Sequence, residues 1–153
     1  MEPDADILIV GGGLNGPALA LALAQGGLRV TVIDARPAPA RAEAGFDGRA
    51  YALAIASKRL LTGIGVWQRM AGKAQPMLKI VASDGRPGQG ASPFFLSFDH
   101  AEIEEGPVGF MAEDRHLYAA FLGAMSEQPG LTLIPGETVV AQDIDAAGVT
   151  VTL

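Results

Sequence analysis

The chain has 153 residues, enough to bury a core, and with 49% apolar and 18% charged residues it is excluded from the disordered, polar class. The net charge of -6 comes from scattered acidic residues without a lysine/arginine block, which argues against nucleic acid as a main partner. Cysteine is absent, excluding disulfides and thiolate chemistry, and His100 and His116 lack the company and spacing of metal ligands.

The acidic start, Met1-Glu2-Pro3-Asp4, is unlike the positive leader of an exported protein, and no apolar run reaches membrane-span length. A cytoplasmic protein is expected. Ile7 to Val10 read as a central parallel strand, being continuously apolar. A glycine-rich turn, Gly11 to Gly16, follows, and then an alanine/leucine helix to Gln25 with Pro17 in its first turn. That helix is apolar on nearly every face and is expected to be buried between the sheet and its neighbours. Gly26-Gly27 stops it, one of the two in the left-handed region. Leu28 to Ile33 form a second strand ending on Asp34.

Arg36 to Arg41 read as a proline-broken loop, and residues 42–56 as an alanine-rich stretch with turn chemistry at Asp47-Gly48. Ser57 is a plausible N-cap for a short helix through Thr62, and Val66 to Met70 suggest another helical turn. Met77 to Ala82 and Phe94 to Phe98 read as paired strands about a turn at Ser83-Asp84-Gly85, a sheet belonging to a second layer. After an acidic loop at 99–109, a helix is expected from about His116 to Glu127, with Leu117, Phe121 and Ala124 on its inner face. Leu131 to Ile134 should return as a parallel strand, and Val139 to Ile144 should pair with Val149 to Leu153 as a hairpin. The expected fold is therefore α/β, Rossmann-like. Its segments are 1–75, an inserted β segment at 76–109, and a continuation at 110–153 that stops on an unfinished apolar edge.

Placed between a strand and a helix, Gly11-x-Gly13-x-x-Gly16 followed by Asp34 has the physical logic of a dinucleotide site. Gly11 permits the sharp turn, Gly13 lets backbone approach a phosphate, and Gly16 lets helix lie against strand. The amides and dipole of the helix start then face the anion. Asp34 would accept hydrogen bonds from ribose hydroxyls and oppose a 2′-phosphate, so a tightly bound NADP is not expected. Arg49 offers a planar fork for a pyrophosphate, yet reads equally well as a surface arginine. Arg115 opposes its helix dipole unless an anion, Glu113 or Asp114 engages it, and a local salt bridge is the simpler reading. Ser57 lacks the flanking glycines of a nucleophile elbow, while Trp67 and Phe94 to Phe98 read as core or domain interface.

Several stretches together resemble the N-terminal third of the ubiquinone-biosynthesis hydroxylases, which belong with the p-hydroxybenzoate hydroxylase-like, FAD-dependent aromatic monooxygenases. They are Ile7 to Pro17, Asp47-Gly-Arg-Ala-Tyr-Ala-Leu-Ala54, Ser57-x-x-Leu-Leu61, Gly65-Val-Trp67, Pro76-Met-x-x-Ile80 with Ser83-Asp-Gly85, and Glu113-Asp-Arg-His-Leu117. The resemblance implies that Gly11, Gly13, Gly16 and Asp34 hold the ADP half of FAD. It places Arg49 beside the pyrophosphate and Arg115 towards the ribityl side, with Leu14, Asn15 and Arg36 completing the cofactor-binding set. Asp34 stands where glutamate is commoner, and Asp114 where asparagine is usual. The family's second FAD motif and most of its ring pocket have no counterpart within residues 1–153, so no catalytic acid or base is assigned.

The implied activity is hydroxylation of a polyprenyl phenol by O2, with FAD tightly bound and NAD(P)H as transient reductant. The implied setting is peripheral, at the inner face of the membrane, within reach of a ubiquinone-biosynthesis complex. Two alternatives stay open: a flavin oxidase or dehydrogenase acting on another substrate, and a non-catalytic dinucleotide-binding module.

Overall fold

The protein is described by a computed structural model over residues 4–37, 45–102, 104 and 106–153. Much of the expected Arg36 to Arg41 loop lies outside the described residues. The first unit is β1 (Ile7–Val10), α1 (Asn15–Gln25) and β2 (Val30–Asp34), with β1 and β2 parallel in the register Ile7↔Val30 to Val10↔Ile33. Gly27, at φ +92°, turns the chain out of α1 as expected. Strand β8 (Leu131–Pro135) joins the other edge of β2, also parallel, so the sheet order is β1-β2-β8. The central position thus belongs to β2 and not to β1. Burial follows: β2 has Val30, Val32, Ile33 and Asp34 buried, whereas Val10 is 63% exposed. The α/β, Rossmann-like expectation is borne out.

Between β2 and β8 the chain builds a second sheet from β3 (Ala50–Ala54), β4 (Gln75–Met77) and β7 (Gly109–Glu113), in the order β3-β7-β4 with antiparallel pairs. Neither β3 nor β7 is evident in the sequence. Ala50-Tyr-Ala-Leu-Ala54 has the composition of a helix, and only pairing with β7 makes it a strand. Helix α2 (Ile55–Gly63) follows β3 without a break, capped at Ala54, so Ser57 is inside the helix and not its N-cap. Helix α3 (Trp67–Met70) is short, as expected, and α4 (Asp114–Glu127) starts two residues earlier than the sequence suggests.

The β5 (Lys79–Arg86) and β6 (Gly90–Asp99) ribbon is a separate two-stranded sheet. Its turn is at Pro87 to Gln89; Ser83 to Gly85 is an irregularity inside β5, because Pro87-Gly88 is the stronger turn signal. Phe94, Phe95, Leu96 and Phe98 are 83%, 64%, 67% and 51% exposed, so of the two readings for this stretch, core or domain interface, the core one does not hold. The last hairpin, β9 (Ala141–Asp145) with β10 (Gly148–Thr152), forms as expected.

Two packed clusters hold these layers. Ala20 and Ala24 of α1 lie on Val30 and Val32 of β2, their small side chains letting the helix sit close to the sheet. Leu21, one residue round the helix, points instead into a cluster with Leu61, Val66, Met70, Leu117, Phe121 and Ala124. The predicted inner face of α4 is buried as expected. Helix α1, by contrast, is not enclosed all round, since Leu19 is 52% exposed. Trp67 packs on this cluster edge-on to Phe110, ring centres 4.9 Å apart, with Lys58 Nζ above both rings.

Leu21→Ala should therefore cost about 2–5 kcal/mol in chemical denaturation, while Leu60→Ala, at a 53% exposed position, should fall within about 0.5 kcal/mol. The Arg69–Glu127 ion pair ties α3 to the end of α4, with Nη1 to Oε1 at 3.0 Å. The side-chain hydrogen bonds and charge of Arg69 hold the Glu127 carboxyl below its ordinary 4.5. A lowered folded-state pKa gives a contribution present above the unfolded value and lost as pH falls through the folded one. Both groups are largely solvated, so the effect is small and salt-sensitive. In thermal melts, Glu127→Gln should lower Tm slightly at neutral pH, and the difference from the parent should vanish in acid below 4.5 and in high salt.

Candidate functional site

At the carboxyl ends of β1 and β2 the chain leaves a cleft of about 610 Å3, where open α/β sheets bind ligands. The sequence-predicted residues Gly11, Gly13, Leu14, Asn15, Gly16 and Arg36 all line it. The turn is anchored where Gly11 N–H donates to the Ile33 carbonyl at 2.8 Å, and Gly11 has φ +113°, a conformation that excludes most side chains. A Cβ on Gly16 would overlap the Gly11 carbonyl oxygen, so the start of α1 rests directly on the turn. Helix α1 has Leu14 at its N-cap, without a side-chain cap, and no acidic residue in its first turn. The amides of a helix's first turn have no intrahelical acceptor, and here the N-cap side chain supplies none. An anion fits that end by both hydrogen bonding and dipole.

Asp34 is 7% exposed at the tip of β2, beside the turn and not on the cleft lining. Its Oδ1 accepts from Arg36 N–H at 3.2 Å, an Asx-type turn that sends Arg36 back over the cleft. Gly12, which sequence reasoning passed over, is what allows this: a Cβ there would stand 2.6 Å from Asp34 Oδ2. Tyr51, Val10 and Leu19 also line the cleft and were not anticipated. Tyr51 carries no local signal for that place, because it reaches the cleft only through the pairing of β3 with β7.

The other two predicted arginines are held by local acids. Arg49 donates through Nε to Asp47 Oδ2 at 2.8 Å, and its Nη2 is 3.7 Å from Asp114 Oδ2. The Asp47 hydrogen bond and then the Asp114 charge push the guanidinium pKa up. The same contact, with the Arg49 backbone amide, holds the Asp47 carboxyl below its ordinary range. Arg115 donates through Nε to Glu113 Oε2 at 2.6 Å, the local salt bridge that its place at a helix start suggested. Neither arginine lines the cleft. Among the described residues no group of acids and histidines is arranged to hold a metal ion, and no helix is long and apolar enough to cross a membrane.

These features suit the ADP half of FAD: a glycine turn without side chains above a helix start, a buried carboxylate beside it, and a cleft of nucleotide size. Against known proteins, the family described as "FAD binding domain" matches residues 4–120. The chain is 44% identical over 149 residues to ubiquinone hydroxylase UbiL of Rhodospirillum rubrum, covering 97% of this chain and 33% of that protein. It is 38% identical over 137 residues to the 3-demethoxyubiquinol 3-hydroxylase of Escherichia coli, covering 88% of this chain and 34% of that one. The chain thus spans about a third of the length of these curated relatives.

Among solved structures, aklavinone-11 hydroxylase in a ternary complex with FAD and aklavinone aligns at TM-score 0.72 and 21% identity, over 99% of this chain and 30% of that one. The p-nitrophenol 4-monooxygenase PnpA of Pseudomonas putida aligns at TM-score 0.71 and 19% identity, over 99% and 39%. These two likenesses show a shared fold. Since the family match runs from ahead of β1 into α4 and takes in every wall of the cleft, the chain belongs to the FAD-binding domain family.

Proposed function

We propose that this chain is the nucleotide-binding part of an FAD-dependent monooxygenase that hydroxylates the ring of a polyprenyl phenol in ubiquinone biosynthesis, using NAD(P)H and O2. The observation that carries the reading is the 44% identity to a ubiquinone hydroxylase along 97% of the chain. When bound, FAD supplies the redox chemistry by which O2 is activated, which no side chain can provide.

This chain's own residues bind and orient. The amides of Gly13, Leu14, Asn15 and Gly16 face the pyrophosphate over the start of α1, and Gly11 shapes the turn that presents them. Asp34 receives the ribose hydroxyls, and Arg36 closes the cleft from the β2 side. Arg49 and Arg115 lie off the cleft lining and are partly exposed, so they would reach the cofactor's anionic groups only by leaving Asp47 and Glu113. Residues 76–109 form the substrate-side layer, where the apolar β5–β6 ribbon suits a prenylated substrate better than a small polar ring. A prenyl tail gains about 0.8 kcal/mol per CH2 removed from water, so such a substrate resides in the bilayer. The enzyme then works at the inner, cytoplasmic face of the membrane, by peripheral contact or through a biosynthetic complex.

Two measurements test this reading. Gly12→Ala pushes on Asp34 without touching the core, and should weaken FAD binding by the protein about tenfold or more, some 1.4 kcal/mol, in a flavin fluorescence titration. Binding equal to the parent would remove the role of Asp34. Disruption of the gene, followed by mass spectrometry of extracted quinones, should show an under-hydroxylated prenyl phenol that the wild-type gene clears and Gly12→Ala clears poorly. Unchanged ubiquinone with no precursor, in a host without a redundant hydroxylase, would point to a soluble aromatic substrate instead.

A further inference from the structure

A buried polar cluster sits between the second sheet and the cleft. Asp114, first residue of α4, is 2% exposed. Its Oδ1 accepts from the Tyr51 hydroxyl at 3.1 Å, and its Oδ2 lies 3.7 Å from Arg49 Nη2. Its own amide donates to the Arg49 carbonyl at 3.1 Å, extending the β3–β7 ladder by one step. Among the described residues, Tyr51 is the only cleft-lining residue contributed by the second sheet; the others fall between Ile9 and Leu19, or are Arg36.

Burying a carboxylate is costly, and the fold alone does not require one here, since an apolar residue at this position would avoid the desolvation. The α4 dipole, the arginine and the tyrosine hydroxyl are among the groups that make the carboxylate tolerable. In return it engages them: the tyrosine ring cannot swing from the cleft without giving up its hydroxyl's hydrogen bond to a buried carboxylate.

We propose that Asp114 is a positioning residue that, through the Tyr51 hydroxyl, sets the Tyr51 ring as the far wall of the nucleotide cleft and keeps Arg49 at its side. This rests on the reading of the cleft as an FAD site. Asp114 itself touches no ligand; it makes the affinity for FAD depend on α4, an element outside the βαβ unit.

The test is FAD titration of the full-length protein by flavin fluorescence, with thermal unfolding of the cofactor-free protein alongside. Tyr51→Phe keeps the ring and loses the anchor, and should raise the FAD Kd roughly five- to tenfold with a change in cofactor-free Tm under about 2 °C. Asp114→Ala should raise Kd similarly, and the double variant should be no weaker than about twofold beyond the worse single one. Asp114→Asn retains an acceptor for the hydroxyl and should recover binding to within about threefold of the parent. A merely structural residue would give additive losses that track Tm, with no rescue by asparagine. If Asp114→Ala does not fold, Tyr51→Phe and its combination with Asp114→Asn decide the matter: the combination should bind no worse than Tyr51→Phe alone. Parent-like binding by Tyr51→Phe, or additive losses, would overturn the proposal and leave the FAD reading intact. Failure of the unaltered, folded protein to bind FAD would overturn both.

Discussion

Everything at the cleft depends on one close approach, the start of α1 lying against the carbonyl of Gly11 with no side chain between. That contact fixes where the helix axis points, and hence where its first-turn amides and positive dipole end are presented. It also fixes the height of the turn over β2, which brings Gly12 against the Asp34 carboxylate. A methyl group at either glycine would lift the turn by more than the ordinary slack of packed atoms allows. The helix is held down from behind by alanines on valines, Ala20 and Ala24 on Val30 and Val32, so both sides of the approach use small residues.

Charge placement follows the same economy of position. Two acids in this region are buried, Asp34 and Asp114, and each stands at the end of a strand or the start of a helix where backbone amides or a dipole oppose its charge. The arginines around them are more exposed and are engaged by acids two residues away in sequence, as with Arg49 to Asp47 and Arg115 to Glu113. Local partners of this kind are weak in water. Asp114 differs because it is buried and joins α4 to β3, so its bond to Tyr51 carries information between layers and not only along the chain.

Apolar surface is distributed unevenly. The two clusters around α1 enclose their members almost completely, whereas the β5–β6 ribbon and the final hairpin expose Phe94, Leu96, Val140 and Ile144. A two-stranded ribbon has only its own cross-strand pairs to hold it and is marginal by itself. The stable part of the molecule is therefore the one that builds the cleft, and the ribbon is the part whose chemistry suits contact with apolar material.

What the sequence by itself determined is the βαβ unit, its glycine turn, its terminal Asp34, the inner face of α4, β8 and the last hairpin. All of these rest on local rules: a turn that only glycine adopts, an apolar run of strand length, a 3.6-residue stripe. The resemblance to ubiquinone hydroxylases was also legible there, because its motifs are short and contiguous. What only the tertiary structure decided is which residues meet across the chain. The Ala50–Ala54 strand exists because β7, some 60 residues on in the sequence, supplies its hydrogen bonds against the helical preference of alanine. The same pairing brings Tyr51 to the cleft and Asp114 to Tyr51. Likewise β2 is central because β8 returns to its far edge, a position that no pattern within β1 or β2 encodes. Backbone hydrogen bonds between distant segments carry no sequence signature of their own, so the nucleotide turn could be read from residues in order, while the wall facing it could not.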